Sequence, residues 1–276
     1  MPIENKNTVK ITMYPIKTKL IKQNDNLLEI ILEGLTRQNL TLENRDILVI
    51  AETALSTSQG NLVEIEKVSP SRRAIELSRK YEIEPRIVEI ILNEADKIFG
   101  GVKGCILAEK NGLLLANAGI DSSNVPIGYV SLLPKNPKKS IEKMRLEILK
   151  KTKKKIGIIL ADSRTQPLRK GVIGIAIATT GFEPVLDLRG KKDLYGRELK
   201  ITFLACADNL ASSAHLLFGE ADEKIPAVLI RGAKVKMTES ETLNMTMPAE
   251  ECLYMNIFKD YLSDLQLFHP LKKFFY

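Results

Sequence analysis

Short, mostly continuous runs of apolar residues mark the predicted strands of this chain. The runs cover residues 8–16, 46–51, 156–160, 171–178, 201–205 and 225–230. Apolar runs of this length are typical of strands that are buried within a sheet. Residues 102–107 and 112–116 predict a further hairpin, because Asn111-Gly112 between them is a strong turn signal.

Apolar residues at helical spacing predict amphipathic helices between these strands. The predicted helices cover residues 24–37, 70–81, 85–99, 140–152 and 208–218. Ser69 and Ser140 are the predicted N-caps of two of them, since a serine oxygen accepts a hydrogen bond from the first turn. A last, aromatic-rich helix is predicted from Leu253 onward, with its end near His269-Pro270.

The composition is that of an ordinary globular protein, with 276 residues, 44% of them hydrophobic and 27% charged. Apolar runs all fall short of the roughly 18 residues of a membrane span. The polar first ten residues also lack the apolar segment of a secretory signal. We therefore expect a cytoplasmic protein without a membrane partner, with Cys105, Cys206 and Cys252 as reduced thiols.

The net charge of +7 first suggests nucleic acid as a partner, but the basic residues are dispersed. Aromatic residues make up only 5% of the chain and do not alternate with the basic runs, as a base-stacking surface would require. This pattern argues against nucleic-acid binding. A phosphorylated or acidic small substrate explains the same excess of positive charge.

Three carboxylates stand where predicted elements end. Asp162 and Ser163 follow the strand 156–160, Asp121 lies in the loop after the hairpin, and Glu220 follows the helix 208–218. They could form a di-metal site if the fold brings their loops together. Because the chain has only two histidines, we expect oxygen ligands and therefore magnesium or manganese rather than zinc.

Three other stretches allow two interpretations each. Residues 52–60 are rich in hydroxyl groups and could face phosphate or form a surface turn. The charged residues from Asp187 to Glu198 favour either a metal–phosphate site or a solvated hairpin. Asn124 is either a nucleotide contact or part of a connecting loop.

Six motifs, in order along residues 10–235, resemble the coenzyme F420 gamma-glutamyl ligase family. The two most specific are Asn117-Ala118-Gly119-Ile120-Asp121-x-Ser123-Asn124 and Gly190-x-Lys192-Asp193-Leu194-Tyr195-Gly196-Arg197-Glu198-Leu199. The others are Pro70-Ser71-x-Arg73-Ala74, Arg169-x-Gly171-x-x-Gly174-x-Ala176-Ile177, Leu216-Leu217-x-Gly219-Glu220 and Ile225-Pro226-Ala227-Val228-x-x-Arg231-Gly232.

The resemblance implies an α+β fold of mixed sheets with flanking helices, assembled as an intertwined homodimer. It assigns residues 1–235 to a catalytic region, which allows two subdomains, and residues 236–276 to a C-terminal extension. The implied reaction joins L-glutamate, through its amine, to the deazaflavin precursor F420-0 by way of an acyl phosphate. GTP is the implied co-substrate, with two Mn²⁺ or Mg²⁺ ions, and the resemblance also allows a monovalent cation.

The resemblance also gives individual residues their roles. It makes Asp121, Asp162, Ser163 and Glu220 metal ligands, and it makes Asp162 and Arg169 catalytic. The implied nucleotide contacts are Lys19, Leu20, Ile21, Glu52, Thr53, Thr57, Asn124, Phe218, Gly219, Glu220, Ala221, Asp222, Glu223, Lys224 and Ile225.

The chain departs from the family pattern in three places. Thr57 stands where the family has a phosphate-facing lysine, Gln166 ends a run that ends in arginine in the family, and residues 221–224 replace a glycine-rich loop. One lost charge-assisted contact costs about 1.5–3 kcal/mol. Two alternatives therefore stay open: a divergent relative that ligates another acid and amine, and a non-catalytic nucleotide-binding homologue.

Overall fold

The computed structural model describes residues 10–256. The chain divides into two compact units, Met1–Leu243 and Asn244–Tyr276, and the elements below belong to the first. In the second unit, residues 253–256 are helical, and the rest of the predicted C-terminal helix lies outside the described residues. No helix within residues 10–256 is long and apolar enough to cross a membrane.

The described residues form a mixed α+β structure, as predicted. The strands are β1 (Thr12–Ile16), β2 (Ile47–Ala51), β3 (Leu62–Glu64), β4 (Lys97–Val102), β5 (Cys105–Lys110), β6 (Leu113–Ala116), β7 (Tyr129–Ser131), β8 (Gly157–Thr165), β9 (Val172–Thr180), β10 (Val185–Asp187), β11 (Phe203–Ala205) and β12 (Ala227–Arg231). The α-helices are α1 (Leu27–Arg37), α2 (Glu52–Ser58), α3 (Arg72–Tyr81), α4 (Pro85–Glu94), α5 (Pro137–Thr152) and α6 (Cys206–Phe218).

A five-stranded sheet with the order β1-β12-β2-β8-β9 forms the centre of the first unit. β2 and β8 are parallel neighbours, whereas the other pairs are antiparallel. Residues 47–50 of β2 and 157–161 of β8 are buried, because the sheet is covered on both faces. The continuous apolar runs that predicted these strands are the consequence of that double burial.

Helices α1 and α5 cover one face of this sheet, where Leu48 and Ile50 of β2 join their apolar side chains in one core. Side chains alternate along a strand, so Ile47 and Val49 point to the other face, which α6 covers. At Gly174 of β9 the approach of α6 is closest, because an added Cβ would lie 2.5 Å from the carbonyl oxygen of Ala211. A side chain at this position would push the helix away.

A second core lies between helices α3 and α4 and two smaller sheets. One is the antiparallel sheet β4-β5-β6, and the other is the pair β3-β7. Ile91 of α4 and Ile106 of β5 are among its fully buried side chains. The predicted Asn111-Gly112 turn is confirmed, since it joins β5 to β6.

Residues 236–243, here called the strap, attach to α5 and to Glu183 through polar and charged groups. Arg145 donates to Glu239 over 2.7 Å, and Lys138 pairs with Glu241 over 2.5 Å. Thr242 donates from its backbone and its hydroxyl to the buried Glu183. The strap therefore belongs to the first unit, which ends eight residues beyond the predicted boundary at residue 235.

Several element boundaries differ from the prediction. Residues 52–58 form α2 instead of a loop or turn, because Leu55 packs into the main core and Ser56 bonds to the backbone of Leu132. The helix predicted over residues 85–99 ends at Glu94, and residues 97–102 form β4. β4 includes Val102, so the hairpin strand β5 begins only at Cys105.

Both predicted serine caps were also wrong. The N-cap of α3 is Ser71, whose hydroxyl accepts from the Ala74 N–H at 3.2 Å, instead of Ser69. Helix α5 begins at Pro137, so Ser140 lies within its first turn. Strand β8 does not stop at Asp162 but continues to Thr165 through its pairing with β9.

Candidate active site

Two parallel strands bring the first two acidic side chains of the site together. Ala51 of β2 is paired with Ala161 of β8, so Glu52 and Asp162 follow at equivalent positions of neighbouring strands. The carboxyl ends of parallel strands are a common place for ligand sites, because several chain segments leave the sheet at the same edge. The sequence pattern placed both residues at the ends of apolar runs. It did not show that these two runs form neighbouring strands.

The antiparallel strands β1 and β12 contribute two more segments at this edge. Ile16, the last residue of β1, is paired with Ala227, the first residue of β12. The Ala51 N–H also donates to the Pro226 carbonyl oxygen at 2.9 Å. Residues 17–21 and 219–226 are therefore held beside the ends of β2 and β8.

These segments enclose a cavity of about 480 Å³, which is in the size range of small-molecule sites. A fifth segment, residues 115–124 after β6, closes it from the side of the smaller sheets. Every predicted metal ligand and nucleotide contact lies on its wall: Lys19, Leu20, Ile21, Glu52, Thr53, Thr57, Asp121, Asn124, Asp162, Ser163, Phe218, Gly219, Glu220, Ala221, Asp222, Glu223, Lys224 and Ile225.

An irregularity in the sheet lies beside Asp162. Between Leu160 and Ala161 the pairing of β8 with β9 shifts by one residue, which leaves Ile177 of β9 as the extra residue of a bulge. Burial raises the pKa of Asp162 to about 7, a hydrogen bond from the Ser163 N–H lowers it, and the charges of Asp121 and Glu220 raise it further. These charge effects indicate that the three acids among the four predicted metal ligands lie near one another in the cavity.

Glu52 begins α2 and is more deeply buried than Asp162, with a residual exposure of 3%. Burial raises its pKa well above the usual range, and the charges of Asp162 and Asp121 add to this effect. The Thr53 hydroxyl opposes it by donating to Oε1 at 2.8 Å. Within residues 10–256, the second oxygen, Oε2, has no hydrogen-bond partner.

The backbone N–H and the backbone carbonyl oxygen of Asp121 both form hydrogen bonds with the backbone of Ser131 in β7. Its Oδ1 accepts from the Ser123 N–H at 2.8 Å, which fixes the carboxylate at the start of the following turn. The carboxylate is therefore positioned by the smaller sheets rather than by the central one. This explains how an acid in a loop reaches a cavity at the edge of a different sheet.

Sequence reasoning missed His215, which lies on the cavity wall near the end of α6. Its Nε2 is hydrogen-bonded to Oε1 of Glu220, so the histidine orients a predicted metal ligand. Asn117 was quoted only as part of a motif, yet it also lines the cavity, and its Oδ1 accepts from the Ile106 N–H. No local pattern marks either side chain, because both roles depend on contacts between distant segments.

Arg169 is not brought to this cavity. It lies in an exposed loop between β8 and β9, so its predicted catalytic role has no support from its position in this chain. The charged residues 187–198 also lie outside the cavity, in the hairpin of β10 and β11, where Arg189 pairs with Asp187 and Arg197 with Asp193. The position of that stretch in this chain therefore does not support the metal–phosphate interpretation.

The acidic side chains and the hydroxyls of the cavity suit a hard divalent cation. No three His, Cys, Asp or Glu side chains within residues 10–256 lie close enough to form a complete metal site by themselves. Mg²⁺ commonly uses only one or two carboxylates and takes its other ligands from water and substrate phosphates. The unpartnered, buried Glu52 oxygen and the nearby Asp162 therefore fit such an ion.

Comparisons with known proteins find a matching family and several similar relatives. Residues 15–232 match the F420-0:Gamma-glutamyl ligase family. A coenzyme F420:L-glutamate ligase of Methanocaldococcus jannaschii is 46% identical over 216 residues, which are 78% of this chain and 86% of the relative. Enzymes of the same name from Methanopyrus kandleri and Methanococcus maripaludis are 40% and 39% identical, over 85% and 90% of this chain and 91% and 99% of their own lengths.

The mixed fold, the acidic cavity and these matches together define an enzyme of the amide-forming ligase class. More particularly, the chain belongs to the F420-0:gamma-glutamyl ligase family. The motifs at residues 117–124 and 216–220, two of the six that carried the resemblance in the sequence, contribute to the cavity wall, whereas the motif at residues 190–199 lies outside it.

Proposed function

We propose that this protein joins L-glutamate to the deazaflavin precursor F420-0, with GTP as the energy source and Mn²⁺ or Mg²⁺ as the required metal. The observation that carries the proposal is the acidic cavity, which lies among the motifs shared with the ligase family. The names of the relatives support the glutamate and F420 parts of this reaction.

The charge of the cavity supports the requirement for metal. Six carboxylates line it, against two lysines, Lys19 and Lys224. A triphosphate would be repelled by this wall unless cations lay between the phosphates and the carboxylates. Asp121, Asp162, Ser163 and Glu220 are the residues that would hold two divalent ions, which when bound neutralise the phosphoryl oxygens.

The reaction is proposed to proceed in two displacements. A carboxylate oxygen of the acceptor attacks the γ-phosphorus of GTP, the bond to the β–γ bridging oxygen breaks, and GDP leaves. The glutamate amine then attacks the acyl carbon, inorganic phosphate leaves, and the nitrogen loses its proton to form the amide. A carboxylate is a poor acylating agent, so the first displacement supplies the leaving group for the second.

The side chains of the wall provide the contacts that such a reaction requires. Lys19 and Lys224 carry the positive charge that the missing lysine at position 57 would otherwise supply to phosphate. The hydroxyls of Thr53 and Thr57 offer uncharged donors, and Leu20 and Ile21 give the cavity an apolar side. This arrangement supports nucleotide binding despite the departure from the family pattern at Thr57.

The test is an assay of the purified protein with GTP, Mn²⁺, F420-0 and L-glutamate, in which phosphate release and the mass of the product are measured. We expect one phosphate per amide formed, and at least a hundredfold loss in Asp162→Asn, because this change removes a proposed metal ligand. The control is Glu147→Gln, a surface acid of α5 that does not line the cavity, which should retain full activity.

Absence of both phosphate release and nucleotide binding would overturn the proposal. Turnover only with other acids or amines would instead select a divergent relative. Nucleotide binding without turnover of any acceptor would select a non-catalytic homologue.

We also propose the intertwined homodimer that the family resemblance implies. Support comes from large apolar side chains that are exposed on β9, the β10–β11 hairpin, α6 and the neighbouring loops, namely Leu168, Val172, Ile173, Leu194, Tyr195, Ile201, Phe203, Leu204 and Leu216. Exposed apolar surface of this extent commonly marks a protein interface.

Light scattering of the wild type should give twice the mass of one chain. The double variant Leu194→Asp with Ile201→Asp should give the mass of one chain, whereas Leu146→Asp on α5 should leave the dimer intact. A monomeric wild type would refute the dimer.

A further inference from the structure

Glu52 combines three properties that its implied role as a nucleotide contact does not explain. It is 3% exposed, it lies on the cavity wall, and within the described residues its Oε2 accepts no hydrogen bond. A buried carboxylate oxygen without a partner is costly, since it has lost its water and gained nothing in exchange. Such a group in a ligand cavity indicates that the bound ligand supplies the missing partner.

The neighbours of Glu52 restrict what that partner can be. Asp162 stands at the equivalent position of the adjacent parallel strand, and the charges of Asp162 and Asp121 both act on Glu52. A phosphate oxygen would add a further negative charge beside these carboxylates. A cation instead satisfies the free oxygen and relieves the repulsion between the acids.

No lysine or arginine within residues 10–256 fills this place. Among the described residues, the Thr53 hydroxyl is the one hydrogen-bond donor to the Glu52 carboxylate, and it uses Oε1. The two lysines on the cavity wall, Lys19 and Lys224, are both exposed, and neither is paired with Glu52. The cation must therefore come from solution.

We propose that Glu52 is a metal ligand that binds a divalent cation together with Asp162, rather than a contact for the nucleotide. The two carboxylates supply the protein part of the site, and waters or phosphate oxygens complete the coordination, as is usual for Mg²⁺. This assignment rests on the proposed metal-dependent function, and it adds a ligand to the four that the family resemblance implies.

The test is Mn²⁺ binding to the full chain without nucleotide, measured by electron paramagnetic resonance of the free ion. The variant Glu52→Gln keeps the side-chain shape and an oxygen that accepts from Thr53, but it replaces a charged oxygen with an amide. We expect Mn²⁺ affinity to fall about tenfold or more, and we expect the rise in melting temperature on adding Mn²⁺ to shrink.

The buried glutamate Glu183, which lies outside the cavity, provides a matched control. Glu183 is another buried glutamate, 2% exposed, whose Oε1 accepts no hydrogen bond within residues 10–256, but it pairs with Lys236 at 3.7 Å and does not line the cavity. Glu183→Gln should leave Mn²⁺ affinity unchanged even if it alters the melting temperature. This comparison separates loss of a ligand from the general effect of neutralising a buried acid.

Unchanged Mn²⁺ affinity in Glu52→Gln, together with weaker binding of GDP, would overturn the proposal and restore the nucleotide role. If the wild type binds neither Mn²⁺ nor GTP, the proposed function itself fails, which is a different outcome. If Glu52→Gln does not fold, crystals of the wild type soaked with Mn²⁺ decide the question, since the anomalous peak must lie within about 2.5 Å of a Glu52 oxygen.

Discussion

At the scale of single residues, the main feature is a set of carboxylates kept together against their mutual repulsion. The buried Glu52 follows β2 and the half-buried Asp162 stands at the equivalent position of β8, while Asp121 and Glu220 lie near them on other elements. Without a cation, burial and the repulsion between neighbouring carboxylates raise the pKa of Glu52 and that of Asp162 above their usual range. In the absence of a cation, this arrangement lowers the stability of the folded protein at neutral pH.

The pH dependence of stability should reveal this in the metal-free protein. The pKa of Asp162 is about 7 when folded, so the folded chain retains a proton that the unfolded chain releases near pH 4. The stabilising effect of that proton is fully present below about pH 4 and is lost as the pH rises through about 7. Glu52, with its raised pKa, contributes in the same direction.

Asp162→Asn should remove part of this dependence. Between pH 5.5 and 8.5, the metal-free wild type should lose about 1–2 kcal/mol more of its unfolding free energy than the variant does. Urea unfolding in the presence of a chelator measures the unfolding free energy of both proteins at each pH. Identical pH profiles for the two proteins would show that Asp162 is ionised throughout this range.

At the scale of elements, the packing of α6 on β9 decides where two groups of the site stand. His215 lies near the end of this helix, and Glu220 lies just beyond it. The helix can approach the strand because position 174 is glycine, where an added Cβ would lie 2.9 Å from the His215 Cβ. The glycine thus places a predicted metal ligand that is forty-six residues away along the chain.

Gly174→Val should therefore damage both stability and metal binding. Overpacking a close contact usually costs about 1–3 kcal/mol, and displacement of α6 should weaken Mn²⁺ binding by moving Glu220. Thermal unfolding and Mn²⁺ titration measure the two effects.

The control is Gly171→Ala, which adds a methyl group where no heavy atom lies within 4 Å. Its positive φ of 92° should cost about 1 kcal/mol without any change in Mn²⁺ affinity. Normal Mn²⁺ binding in Gly174→Val would mean that α6 does not position Glu220.

Much of this element structure was predictable, and the errors have physical causes. β2 and β8 were found because burial on both faces leaves continuous apolar runs. Residues 52–58 were not recognised as a helix, because serine and threonine favour turns locally, whereas Leu55 is fixed by the main core. Residues 97–99 were assigned to a helix because Ile98 and Phe99 continue its apolar pattern, but pairing with β5 makes them part of a strand.

The candidate site was predictable in composition but not in geometry. Asp121, Asp162 and Glu220 could be named because each follows a recognisable element. Their meeting depends on which strands pair, and local patterns do not contain that information. The same reason explains why His215 was missed and why Arg169, chosen from a shared motif, lies outside the cavity.

At the scale of the whole molecule, the first compact unit ends with the strap, at Leu243, rather than with β12. Residues 236–243 supply partners to Arg145 and Glu183, both of which are buried. Removal of one partner of a buried charge commonly costs about 3–5 kcal/mol. The boundary at residue 235 implied by the family resemblance would cut through these contacts.

Two shortened chains should distinguish the boundaries. A chain that ends at Leu243 should unfold at the temperature of the full chain, because the first compact unit is complete there. A chain that ends at Val235 loses Glu239, Glu241 and Thr242, and its unfolding free energy should fall by at least about 3 kcal/mol. Equal stability of the two chains would assign the strap no structural role.

The pairing of Ala51 with Ala161 also limits how this enzyme can change during evolution. Loss or gain of a single residue in β2 or β8 would shift one acid by about 3.3 Å and turn it to the opposite side of the sheet. Insertions and deletions should therefore be tolerated in the exposed connections, such as residues 166–171, but excluded from these two strands. The lengths of two buried, chemically inert segments are thus under the same selection as the acids that follow them.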